Sequence, residues 1–130
     1  MSKPAADLKI AVRKQPAEFQ PGEEITGAAQ WKIGTAPESV EVRLLWHTSG
    51  KGIVDISVVD TVSFDAPTAD DTRPFTITAP GAPYSFTGKL ITLAWVLELV
   101  ALPSGDNMRI DLIIAPAGKA IDLRKEDIPD

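Results

Sequence analysis

The chain of 130 residues contains no cysteine and a single histidine. Without thiols there is no disulfide, no thiolate metal site and no cysteine nucleophile. With His47 alone, a transition-metal site lacks its usual ligands. Long apolar runs are missing as well. The longest, Leu90–Leu102, contains Thr92 and Glu98 and falls well short of the roughly 20 residues a membrane-spanning helix needs, so membrane insertion is not expected. The opening MSKPAADLKIAVRK has no apolar h-region, so no signal peptide is expected. Together with the lack of cysteine, this points to a cytoplasmic protein. Positive charge is the scarcer sign: 13 Lys and Arg stand against 18 Asp and Glu, a net charge of −5. Affinity for nucleic acid comes from Lys and Arg neutralising phosphates, so a nucleic-acid partner is disfavoured. Anionic membrane surfaces are disfavoured on the same ground.

Punctuation, by contrast, is plentiful. Eleven Pro and nine Gly cut the chain into short segments, and those segments alternate with the period of two that marks half-buried strands. Leu8, Ile10 and Val12 form a first strand, and Ile25, Gly27, Ala29, Trp31 and Ile33 a second. Val40, Val42, Leu44 and Trp46 alternate with Glu41, Arg43, Leu45 and His47 in a third. A fourth run places Val54, Ile56, Val58, Asp60, Val62 and Phe64 on one face. Asp65–Arg73 reads as an exposed connection and Pro74–Thr78 as a short strand. Leu90–Leu102 is apolar on both faces, as a central strand would be, and Met108, Ile110, Leu112 and Ile114 give the last strand. The expectation is an all-β fold, an immunoglobulin-like two-layer antiparallel β-sandwich of about seven to eight strands. Residues 1–115 form the domain. Residues 116–130 form a charged tail, with either a helical turn or two over Ile121–Ile128 or a frayed end.

A family pattern emerges from the turns. Phe19-x-Pro21-Gly22-Glu23-x-Ile25-x-Gly27 resembles the FxPGExIxG opening of arrestin-like domains. Val42-x-Leu44-x-Trp46-x-Thr48-x-Gly50-Lys51-Gly52 is similar to a later segment of small bacterial members. So is Pro83-Tyr84-Ser85-Phe86-x-Gly88-x-Leu90-Ile91-x-Leu93-x-Trp95-x-Leu97-Glu98. The resemblance implies a single arrestin-like lobe, where arrestins and the related retromer adaptor subunit use two. By the same likeness it implies an adaptor or scaffold working by protein contact. The motif residues themselves do structural work: Pro21 fixes φ, Gly22 and Gly27 admit backbone that a Cβ obstructs, and Trp46 and Trp95 supply apolar area.

Catalytic constellations are thin. Ser49, His47 and Asp55 spell a triad, but no GxSxG elbow accompanies them. Asp65, Asp70 and Asp71 lack the DxDxDG spacing of a calcium loop, and Gly50-Lys51-Gly52 lacks that of a phosphate loop. No catalytic, cofactor or metal residue is assigned, and the chain is not expected to be an enzyme. Apolar surface is the stronger signal. With Trp95 turned to the core, Leu90, Ala94, Val96 and Val100 fall on the outer sheet face beside Leu45, a candidate surface for a protein partner or a homodimer. Glu98 lies within it, with Arg43 as its cross-strand partner. The alternative is a small-molecule or carbohydrate-binding sandwich, with Tyr84 and Phe86 as the exposed contacts near Gly88.

Overall fold

A computed structural model of the protein describes residues 6–50, 55–88, 91–116 and 121–122. Its strands are β1 (Asp7–Val12), β2 (Glu18–Phe19), β3 (Glu24–Lys32), β4 (Ser39–Gly50), β5 (Ile56–Phe64), β6 (Asp70–Thr78), β7 (Phe86–Thr87), β8 (Ile91–Leu102), β9 (Asn107–Ile114) and β10 (Ile121–Asp122). Seven of these have six residues or more and carry the architecture. One sheet has the order β1-β3-β6. In the other, β8 lies between β4 on one side and β7 and β9 on the other, with β5 beyond β4. The long pairings are antiparallel. Two short ones, β2 with β9 and β10 with β7, are parallel.

Period-two alternation decides what enters the core. Leu8, Ile10, Val12, Ile25, Ala29, Trp31, Phe75 and Ile77 of the three-stranded sheet face Val40, Val42, Leu44, Leu93, Trp95, Leu97, Leu99, Leu112 and Ile114 of the other. Burying each large aliphatic side chain contributes about 1.5–3 kcal/mol, so a slip of one residue in any central strand would forfeit several such contributions at once. Trp31 and Phe64 meet across the layers with ring centroids 5.5 Å apart. Both core indoles have partners: Trp31 Nε1 donates to the Thr68 carbonyl at 2.7 Å and Trp95 Nε1 to the Pro83 carbonyl at 2.8 Å.

The FxPGExIxG segment explains itself physically. Glu23 N donates to the Gln20 carbonyl, closing a turn with Pro21 and Gly22 at its centre, and Gly22 sits at φ +86. Those are the positions at which a type II turn wants proline and a residue free to take positive φ. The Glu23 carboxylate then accepts from Gln20 N at 2.9 Å and from Lys14 Nζ at 2.8 Å. At Gly27, where β3 lies against Val12 and Phe75, an added Cβ would strike the Ala11 carbonyl oxygen and the Phe75 ring.

Three expectations are revised. The strand ending at Thr78 starts at Asp70, because Asp71 and Arg73, half-buried on the same strand face as Phe75 and Ile77, pair with each other and leave the ladder intact. Ile121–Asp122 begins no helix but adds a strand beside β7; residues 123–130 lie outside the described residues. The fourth run does not keep one face. The pairing of β4 with β5 shifts between Leu44, opposite Asp60, and Leu45, opposite Val58. The extra residue, Val59, is a β-bulge. Val62 and Phe64 therefore pack against the core, while Val58 and Ile56 stand opposite the outward-facing Leu45 and His47.

Candidate interaction surface on the outer face of the larger sheet

The outer face is laid out in rows across β9, β8, β4 and β5. Asn107, Val100, Glu41 and Ser63 form one row. Next come Arg109, Glu98, Arg43 and Thr61, and then Asp111, Val96, Leu45 and Val58. Ala94, His47 and Ile56 follow. Of the residues singled out from sequence, Leu45 thus meets Val96 directly, with Ala94 and Val100 on the same strand face. Leu90 lies outside the described residues. Leu45 and Val96 are each 2% exposed and Val100 is 5% exposed, so they form covered floor rather than open surface.

What stands open lies one strand further along. Six large apolar residues are exposed among the described ones, and three of them are Ile56, Val58 and Val59 on β5, at 58, 50 and 44%. Isolated exposed apolar side chains are ordinary; three within four positions form a patch. The bulge creates it, because a regular strand from Phe64 would continue the inward face through Asp60 to Val58. The sequence does carry a signal: Val58 and Val59 in succession break the alternation just before Asp60.

The charged row crosses the middle of this face. Arg43 does sit opposite Glu98, as the sequence suggests, but its guanidinium is 3.7 Å from the carboxylate and is bound more closely to Glu41, at 2.8 Å. The nearer partner of Glu98 is Arg109 on β9, with Nε donating to Oε2 at 2.7 Å. Glu98 is buried, so this charge-assisted bond is what makes its ionised form tolerable there. Sequence reasoning missed Arg109 because the register of β9 against β8 was not legible.

The residues proposed for other chemistry are not brought together into one site. Asp71 is held by Arg73, which, with Thr72 N, keeps its carboxyl below the usual range. Tyr84 is exposed, but Phe86 packs against the core. Between them Ser85 is buried and tied to Ile114 through both its amide and its hydroxyl. A hollow of about 730 Å³ opens at the end of the sandwich, lined by residues that include Ile33, Thr35, Pro37, Leu102, Pro103 and Asp106. Neither Tyr84 nor Phe86 reaches it, and the Asp106 carboxylate is already engaged by Ser104 Oγ at 2.9 Å. No helix among the described residues is long and apolar enough to cross a membrane.

No protein-family model matches the sequence, and no curated protein matches it. Solved structures do. The crystal structure of Spo0M, a sporulation control protein from Bacillus subtilis, superposes with a TM-score of 0.60 at 21% identity. The match covers 86% of this chain and 50% of that one, so the chain spans half the length of Spo0M. A beta-glucosidase from Listeria innocua, crystallised with gluconolactone, gives a TM-score of 0.48 at 11% identity, over 89% of this chain and 16% of its own. With the topology above, the likeness to Spo0M makes this an all-β, arrestin-like two-layer sandwich.

Proposed function

We propose that the protein is a non-enzymatic interaction module, an adaptor or scaffold of the cytoplasm, that engages protein through the β5 end of its larger sheet. The observation that carries this reading is the exposure of Ile56, Val58 and Val59 together on one edge strand. The covered apolar floor of Leu45 and Val96 lies beside them. Burial of such side chains against a partner is worth about 25 cal/mol per Å² of apolar surface removed from water. The fold likeness to a sporulation control protein is compatible with a regulatory role and does not choose among partners.

A photo-crosslinking residue placed at Val59 in the producing cell tests the reading, with one at Gln30, exposed on the other sheet, as control. Adducts to protein from position 59 and none from position 30 are expected. Silence at position 59, or equal labelling from both positions, would remove the support.

A further inference from the structure

Sheet edges expose unpaired amide and carbonyl groups, and proteins guard them with charge, lysine, proline or a bulge. Two edges here are well guarded. β6 carries Pro74, Arg73, Asp70 and Asp71, and β1 carries Asp7 and Lys9. β5 is different. Its segment Ile56–Val59 has no charge and no proline, and the bulge lies at the end of that segment rather than within it. The direction of its backbone groups follows from one bond: Thr48 N donates to the Asp55 carbonyl, so Asp55 faces β4. Alternation along an antiparallel strand then turns Ser57 towards β4 and the amide and carbonyl groups of Ile56 and Val58 to the open side.

That pattern is self-complementary. Resting on the interaction reading above, we infer that the partner is a second copy of this chain, paired antiparallel along β5 about a two-fold axis through Ser57. In this register Ile56 of one copy stands opposite Val58 of the other, and each such pair exchanges both of its free-side hydrogen bonds. Directly opposed residues share a face, so the two Ile56 and two Val58 side chains gather into one apolar cluster on the outer side. Asp60 stays clear of its counterpart because it lies three positions from the axis and its counterpart lies as far on the other side. No like charges meet within the paired segment. The contact is short, which places it with small, reversible, concentration-dependent interfaces rather than obligate ones.

The chain has no cysteine, so single-cysteine variants report the register directly. Ser57 faces Ser57 across the axis as a non-hydrogen-bonded pair, with Cα atoms about 4.5 Å apart, within the range a disulfide accepts. Ser57→Cys is expected to form a covalent dimer under mild oxidation, and Ser63→Cys, beyond the bulge, is not. Adding Val58→Pro to Ser57→Cys removes an amide that faces away from β4 and is expected to abolish the dimer while leaving the circular dichroism spectrum unchanged. Should that variant not fold, Val58→Lys serves instead, since the exposed position accepts a charge. A Ser57→Cys protein that stays monomeric, or equal cross-linking at positions 57 and 63, overturns the inference. Monomer in that test with a foreign adduct from Val59 refutes the second copy alone. Monomer with no adduct refutes the interaction reading too.

Discussion

Gly27 and Glu98 show how much single positions decide in this molecule. A Cβ at Gly27 meets the Ala11 backbone, which has nowhere to go without bending β1. Gly27→Ala is expected to destabilise the domain by about 1–3 kcal/mol, read as a lower urea midpoint. At Glu98 the two ways of breaking its ion pair should differ. Arg109→Met leaves a buried carboxylate with only the 3.7 Å contact from Arg43 and should cost about 1–3 kcal/mol. Glu98→Met leaves Arg109, half exposed, free to hydrate, and should cost less. Equal losses in the two denaturation curves would contradict this account of the row. Acid should act at Glu23, whose carboxyl is held below its ordinary value by the Lys14 ammonium and then by the Gln20 amide. A lowered folded pKa gives stability that is present above the unfolded value, about 4.3, and lost as pH falls through the folded one. Lys14→Met should therefore differ from the parent at neutral pH and converge with it in acid. The pair is open to solvent, so the difference should be small.

Among the elements, β8 separates two kinds of burial. Leu97 lies in the core and Val96 on the outer face, yet both are nearly inaccessible. Leu97→Lys buries an ammonium between the sheets and is expected to abolish folding. Val96→Lys has Asp111 directly opposite on β9 and a stem that can run along the surface. It should fold, with a loss of about 1–3 kcal/mol, seen as a lowered melting temperature with retained near-ultraviolet dichroism. The inward-outward assignment of β4 and β8 was legible in the sequence because charged and apolar residues alternate at Val40–Trp46 and fix the face. That of β5 was not, because one inserted residue reverses every position before it, and period-two reasoning carries no marker for an insertion except the doubled valine. The depth of the outer face was illegible for another reason. Coverage of Leu45, Val96 and Val100 depends on what packs over the sheet, which strand patterns do not encode.

For the molecule as a whole, the fold and its turns followed from short alternating segments and from Pro21, Gly22 and Gly27, each placed where backbone geometry demands it. The surface that distinguishes this sandwich rests instead on relations between strands: the bulge opposite Leu44 and Leu45, the register that brings Arg109 to Glu98, and the unguarded edge of β5. The central claim, that this edge pairs with a second copy of the chain, is tested most directly by amide hydrogen exchange of the purified protein across a dilution series. In the dilute protein the Ser57 amide, turned to β4, should be protected, while the Ile56 and Val58 amides exchange freely. With rising concentration Ile56 and Val58 should gain protection together and Ser57 should change little. Free exchange at Ile56 and Val58 at every concentration, or new protection confined to another edge, would contradict the account.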